Sequence, residues 1–500
     1  MKKILICKYP WQTRIAITVD GLLQNIYQES HTIEPLERTF FKGVITKILP
    51  GIQTAFVDIG QKKAGFLHIS EIDREMASTK NSKDFDDDEE KKPQIKKSSL
   101  DISKIFKEGE SVLVQVNKEP IYEKGAKLTT CYTLPGRFIV LMPNISRISI
   151  SKKIDNKEDR AALRELIRKY LPENMGAIIR TTAKSQKTKA IINDINYLVK
   201  TWKNIEEKFK QAEPKEKIHE DIPLSLQVVR DHLDDDVENI ITNDKENQKI
   251  IYNFIKNFSP EYSHIIKLQK EPPKIFETYN IEKQVESALN KKVNLKSGGS
   301  LIIETTEAMT VIDVNTGKFI GKKKMADTIL TTNLEAAEEI VRQLRLRNIG
   351  GLIVIDFIDM VTAADRQQLI HFFEKTLKKR DKFQSVVLKV SEFGLVQMTR
   401  KRSGKTLLQQ IMIDCPTCSG CGFIKSLKTQ CYQVMSAIKH DLDTKSWPKD
   451  ITIKINSKLF NYITHTEFNA ILYYQNLCNV NIILASDDKL SNDQYKIEKK

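Results

Sequence analysis

The stretch from 309 to 357 carries three signals that leave few folds open. "MTVIDVN" and "GLIVIDF" read as strands, and between them "TTNLEAAEEIVRQLRLRN", with the leucine before it, sets apolar residues at 330, 334, 337, 341 and 344. That spacing is the stripe of an amphipathic helix. Thr332 and Glu335 read as a capping box at its start, and Gly350 as its stop. A strand, a helix of about five turns and a second strand form a βαβ unit, whose two strands must run parallel. The near-continuous apolar run of "GLIVIDF" is the pattern of a strand buried in a parallel sheet.

Both strands end in acid: Asp313 closes "TVID" and Asp356 closes "LIVID". Parallel strands bring their C-terminal ends to one sheet edge, where open α/β folds bind ligands, so the two carboxylates converge. Two carboxylates suit Mg²⁺, a hard ion that takes one or two protein oxygens, keeps several waters and completes its shell with substrate phosphate. Asn315 shares a face with Asp313 in an extended strand and would orient that carboxylate or a bound water. Val311, on the same face, reads as core. The alternative is that each aspartate caps the turn after its strand. No rival catalytic set stands out, since the eight histidines are scattered and neither a Walker sequence nor a G-x-S-x-G elbow occurs.

Eighty basic residues against 65 acidic ones leave a net charge of +15. That favours a polyanionic partner, with a solvated lysine-rich surface as the plainer reading. No run approaches the roughly 18 apolar residues of a membrane span, and "MKKILICKYP" has only a short apolar core for a secretory signal, which predicts a soluble, cytoplasmic protein without a transmembrane segment.

Residues 39 to 69 alternate apolar and polar positions, with turn signals at Pro50-Gly51 and Gly60, and "SVLVQVNKEPIYEKGAKLTT" supplies a further strand pair. Between them lies a polar, mixed-charge segment expected to be a mobile loop. Phe56 and Phe66 stand among small and charged residues, as the base-stacking aromatics of an OB-fold do, with Lys118 and Lys124 available to follow a phosphate backbone. Burial in the core is the competing reading for either ring. Residues 130 to 225 carry further strands and two helical stretches, near 157–170 and 191–212. Residues 225 to 290 are charged, and read as mostly helix or loop.

"GVITKILPGIQTAFVDIGQKKAGFLHISEI", "TVIDVNTGKF", "RLRNIGGLIVIDFIDM", "FGLVQMTRKR" and "CPTCSGCG", in that order, closely resemble the bacterial ribonuclease E/G family over roughly 1–425. The chain's length matches the family's shorter members. The resemblance implies a multidomain α/β and α+β architecture. Its parts would be an RNase H-like subdomain split between 1–37 and 226–290, an S1-type OB-fold over 38–129 with a disordered loop near 77–100, and a 5′-sensor region over 130–225. A DNase I-like catalytic subdomain over 291–408, a zinc link over 409–424 and a small C-terminal α/β domain over 425–500 would follow.

By the same resemblance Asp313 and Asp356 match the family's Mg²⁺ ligands, Asn315 its companion asparagine, and Phe56, Phe66 and Lys124 its RNA channel. Gly136, Val140, Arg180 and Thr181 correspond to its 5′-monophosphate pocket, where a guanidinium can give a terminal phosphate two charge-assisted bonds. Where some members carry a further sensor arginine, this chain has Gln384, with Arg380 and Lys382 nearby. The implied activity is Mg²⁺-dependent cleavage of single-stranded RNA to 5′-phosphate and 3′-hydroxyl ends, with preference for 5′-monophosphorylated substrates, in processing of rRNA and tRNA precursors and decay of mRNA. A non-catalytic RNA-binding or ribosome-assembly factor, and a deoxyribonuclease-like phosphodiesterase, are the alternatives.

Seven cysteines, an odd number with three inside "CPTCSGCG", favour a reducing compartment and a local metal site over a disulfide framework. Cys415 and Cys418 have the C-x-x-C spacing of a zinc site, but a closed tetrahedral site needs four ligands. In the family resembled, two such cysteines from each of two subunits share one Zn²⁺, which implies a homodimer, or a dimer of dimers. Cys421 then reads as a spare thiol.

Overall fold

The four-residue apolar run that opens the chain, Ile4 to Cys7, is buried because Lys2–Lys8 is the middle strand of a five-stranded sheet. Gln12–Val19 and Leu22–Ser30 extend it on one side as antiparallel neighbours. On the other side Val237–Thr242 pairs parallel with it, followed by Ile266–Leu268. The strand "VENIIT" thus sits in a region that reads from sequence as helix or loop. Its flanking charges hide a short strand whose partner is more than two hundred residues away. The computed structural model describes residues 1–32, 34–73, 101–120, 125–151, 154, 156–184, 186–316, 325–391, 394–401 and 404–499. The loop expected near 77–100 and Lys124 fall outside the described residues.

Five strands close into a barrel: β1 (Phe40–Leu49), β2 (Thr54–Asp58), β3 (Gly65–His68), β4 (Ser111–Lys118) and β5 (Lys127–Thr129), in the order β1-β2-β3-β5-β4 with β4 returning to β1. Ala55, Val57, Leu67, Val114, Val116 and Leu128 fill its interior. Residues 134–212 build a small four-stranded sheet against the helices Lys157–Tyr170 and Thr188–Gln211. Ile139, Leu141, Ala177 and Ile179 meet Ile195, Leu198 and Trp202 in its core.

A six-stranded sheet follows, built from β6 (Lys292–Asn294), β7 (Ser300–Thr305), β8 (Met309–Asn315), β9 (Gly351–Asp356), β10 (Ser385–Val387) and β11 (Leu395–Arg400), ordered 6-7-8-9-11-10. Helices α1 (Met325–Leu346) and α2 (Ala363–Arg380) cover one face. Ala337, Ile340, Val341, Leu344, Leu369 and Phe373 pack there on Ile312, Val314, Ile353 and Ile355. The β8–β9 pair is parallel, as a βαβ unit requires, but every other pair in the sheet is antiparallel. The opposite face is open, and Val311, Leu352 and Val386 are 37, 41 and 52% exposed on it. The expectations of Val311 in the core and of a fully buried "GLIVIDF" are corrected accordingly. An apolar residue on an uncovered sheet face and one in a core look alike in sequence.

The helix start also differs. Thr332 lies inside α1, its hydroxyl donating to the Thr328 carbonyl, and Glu335 accepts from the Lys296 and Ser297 N–H groups rather than closing a capping box. Beyond Leu346 it is Asn348, at φ +51°, that takes the left-handed conformation associated with a helix stop.

Residues 1–408 form one unit and 409–500 another. In the second, Asp450–Ile455 pairs parallel with Asn481–Ser486 and antiparallel with Tyr495–Lys499, and Ile438, Ile451, Ile453 and Leu459 form its core with Cys431. Among the described residues no helix is long and apolar enough to cross a membrane.

One buried ion pair holds the β11 end of the first unit. Arg400 and Asp381, with side chains 1 and 2% exposed, share two hydrogen bonds of 2.7 and 3.0 Å, and Arg400 also donates to the Ile349 carbonyl. Arg400→Met leaves the Asp381 carboxylate buried without its cation, and is expected to cost about 3–5 kcal/mol in urea unfolding.

Candidate active site

Register decides what the sheet edge presents. Asp313 on β8 is the direct partner of Asp356 on β9. Directly paired residues point to the same face, and neighbouring strands lie roughly 4.8 Å apart, so the two carboxylates stand side by side on the open face. Asn315 donates from Nδ2 to Asp313 Oδ2 at 2.8 Å, which fixes that carboxylate's rotation. Burial first, then the charges of Asp313 and Asp359, push the Asp356 carboxyl above its ordinary range. Among the described residues neither Asp313 nor Asp356 has an ion-pair partner. Concentrated negative charge with no protein counter-ion is what a bound cation would neutralise.

The loop after β9 is held from behind. Asn333, wholly buried in α1, donates to the Ile358 carbonyl at 2.8 Å and accepts the Ile358 N–H at 3.1 Å. Asp359 approaches Gly394, whose φ of +79° and short distance of 3.3 Å from an added Cβ to Asp359 Oδ1 explain a glycine in "FGLVQM". Among the described residues no three His, Cys, Asp or Glu side chains converge into a metal cage. Among the described residues the carboxylates paired at this edge are those of Asp313 and Asp356, a donor set that would suit Mg²⁺ better than an ion needing a full protein shell.

On the barrel, Phe56 and Phe66 are direct cross-strand partners and are half-buried, outside the interior cluster. The register extends the row in both directions: Lys47 pairs with Phe56, Lys127 with Phe66, and Lys118 with Lys127. Two rings flanked by lysines thus line one outer face. Lys47 and Lys127 escape sequence reading because only the barrel's register aligns them. Lys127 is engaged with Glu71.

Gly136 and Arg180 meet directly, Arg180 Nη1 donating to the Gly136 carbonyl at 2.7 Å, while Nη2 pairs with Asp231 Oδ1 at 2.8 Å. Val140 lies across from Ile178 in the adjoining strand pair, and Thr181 is the exposed residue following Arg180. Asp231 also accepts from Arg230 Nε at 3.1 Å. Burial raises the Asp231 carboxyl, but Arg230 and Arg180 outweigh it and hold the group below its usual range. Nothing in the sequence singles out Asp231; its role rests on the fold. Behind Gly136, the Asp194 carboxylate accepts the N–H groups of Arg137, Phe138 and Ile139 at 3.2, 2.8 and 3.2 Å.

In the second unit Cys415 is exposed, and the N–H groups of Cys418 and Thr417 hold its thiol below the ordinary range. Cys418 Sγ accepts from the Gly422 N–H at 3.3 Å, whereas Cys421 Sγ points to the Phe423 carbonyl at 3.0 Å.

Gly136→Ala would set a Cβ 2.5 Å from Asp194 Oδ2 and 2.7 Å from Leu198 Cδ1, displacing the carboxylate from its three donors. The expected loss is about 1–3 kcal/mol in urea unfolding, with faster hydrogen exchange at residues 137–139.

Residues 133–403 match the Ribonuclease E/G family, residues 35–119 the S1 RNA binding domain and residues 414–500 the RNase E/G, Thioredoxin-like domain. Ribonuclease G of Escherichia coli K12 is 36% identical over 438 residues, 87% of each chain. Ribonuclease G of Haemophilus influenzae is 38% identical over 436 residues, again 87% of each. Ribonuclease E of Haemophilus influenzae is 31% identical over 500 residues, 99% of this chain and 52% of the relative. With more than half of the chain matched to one family and ribonucleases above one-third identical along most of its length, the chain belongs to the ribonuclease E/G family and is an endoribonuclease.

Proposed function

We propose that this endoribonuclease cleaves single-stranded RNA at the edge formed by Asp313 and Asp356, with Mg²⁺ as cofactor, leaving 5′-phosphate and 3′-hydroxyl ends. The observation that carries the reading is the direct pairing of these two aspartates on an open sheet face, where neither has an ion-pair partner among the described residues. Mg²⁺ held there supplies polarisation of the scissile phosphate and a water of lowered pKa. The chain's residues do the rest. Asp313 and Asp356 present adjacent oxygens, and Asn315, by donating to one oxygen of Asp313, leaves the other directed at the ligand. The Phe56–Phe66 pair stacks unpaired bases, each worth about 1–3 kcal/mol, while Lys47, Lys118 and Lys127 run beside the phosphates.

Gly136, Val140, Arg180 and Thr181 would receive a 5′-monophosphate, which favours RNA already cut once. Substrates of this kind are rRNA and tRNA precursors and mRNA in the cytoplasm. In fold terms the 1–37 and 226–290 segments read as an RNase H-like subdomain and 291–408 as a DNase I-like one.

Asp313→Asn and Asp356→Asn are each expected to lower RNA cleavage at saturating Mg²⁺ by about a hundredfold to a thousandfold, the scale of losing a key electrostatic group, with unchanged circular dichroism. Cleavage surviving either change would remove these residues from the active site. Equal cutting of a matched DNA strand would instead favour a general phosphodiesterase.

Cys415 and Cys418 would bind half of a Zn²⁺ site, a second subunit supplying the other two thiolates. The C-x-x-C spacing of Cys415 and Cys418, with Cys421 Sγ donating to the Phe423 carbonyl, supports two ligands per chain. Chelator treatment should convert dimers, or dimers of dimers, to smaller species by native mass measurement, with half a zinc lost per chain. A monomer retaining one zinc per chain would sink the shared site.

A further inference from the structure

Gln384, the position that the family resemblance matches to a further sensor arginine, is exposed, and its backbone carbonyl accepts the Lys401 N–H at the head of β10. Two residues earlier, Lys382 turns its ammonium onto the Asp231 backbone carbonyl. Asp231 is the same residue whose carboxylate takes Arg180 Nη2 at 2.8 Å and Arg230 Nε at 3.1 Å. Lys382 and Arg180 therefore converge on one residue from two sides, although they lie 202 positions apart in the chain.

The charges around that residue do not balance. Arg180, Arg230 and Lys382 surround one Asp231 carboxylate, with Asp221 sharing Arg230 at 3.7 Å. Lys2 is engaged by Asp234 and the His232 carbonyl, and Arg345 by the Asn25 side chain. Enclosure of the ammonium and the neighbouring Lys2, Arg180 and Arg345 push Lys382 down to about 7, while Asp231 opposes that shift. A crowded cation of this kind gains from an arriving anion. Lysine also suits the task as a mobile point charge on a flexible stem, whereas Arg180 is fixed through Gly136 and Asp231. Lys382 as a residue is exposed, although its ammonium is turned onto Asp231, so the segment that carries it is open to a ligand.

We infer that Lys382, and not the residue at 384, supplies the second cation that reads a terminal RNA phosphate together with Arg180. This inference rests on the end-recognition reading given above. The experiment compares kcat/KM on one oligonucleotide carrying a 5′-monophosphate or a 5′-hydroxyl, for the native chain and for Lys382→Met, Lys382→Arg and Gln384→Ala. The native chain is expected to favour the phosphorylated end. Lys382→Met is expected to reduce that ratio about tenfold to a hundredfold, the range for a hydrogen bond to a charged group. Lys382→Arg restores it and Gln384→Ala leaves it unmoved.

A native preference that survives Lys382→Met, or that collapses in Gln384→Ala, overturns the assignment of Lys382 and leaves end recognition standing. A native ratio of one overturns end recognition and the assignment together. A merely structural role for Lys382 would lower both rates in step and leave the ratio unchanged, which also counts against the inference.

Discussion

The parallel ladder between β8 and β9 is the constraint on which the candidate active site depends. Its register makes Asp313 and Asp356 direct partners, and side chains alternate with period 2. A slip of one residue in β9 would send Asp356 to the covered face, under α1 and α2, where an unpaired carboxylate is expensive. The ladder is secured by apolar contacts on that covered face, through Ile312, Val314, Ile353 and Ile355, none of which belongs to the site. The geometry of two acids on the open face is thus maintained by the burial of their sequence neighbours. Asn333 completes the arrangement by fastening Ile358 in both directions, so that the chain leaving Asp356 cannot swing the carboxylate away.

The barrel uses register in the same way for a different end. Phe56 and Phe66 face outward because Ala55, Val57 and Leu67, their neighbours in sequence, are committed to the interior. Two half-buried rings on directly paired positions of one outer face present an apolar surface on which bases can stack. Lysines fall on both sides of them because the barrel closes through β5 and β4 on one side and β1 on the other. This is how a row of five residues from five strands arises without any local motif.

Patterns within one element were legible in the sequence, and patterns between elements were much less so. The 3.6-residue stripe from 330 to 344 announced α1, and the two strand-final aspartates announced a pair. The period could not say which strand faces would be covered, because Val311 and Leu352 are as apolar as the residues of the core beside them. Thr332 and Glu335 have the spacing of a cap, but the helix starts earlier and the pair was spent on Thr328 and on the Lys296–Ser297 turn. The strand Val237–Thr242 was hidden because its identity comes from pairing with Lys2–Lys8, a contact that no window of sequence contains. Lys47, Lys127 and Asp231 were missed for the same reason.

The buried Arg400–Asp381 pair links two parts of the molecule that carry different chemistry. Arg400 ends β11, the strand whose other end sets Leu395 beside Asp356. Asp381 follows α2 directly and precedes Lys382. An ion pair buried this deeply gives little net stability over apolar packing, since desolvation of both partners offsets their attraction. What it provides is a fixed position, because neither group can leave its partner without a large cost. With Asp381 pinned, the backbone of the next residue is pinned as well, and the Lys382 stem starts from a defined point above Asp231. The strand that borders the cleavage edge and the lysine assigned to the RNA end are therefore anchored by the same two side chains, so displacement of one would be felt at the other.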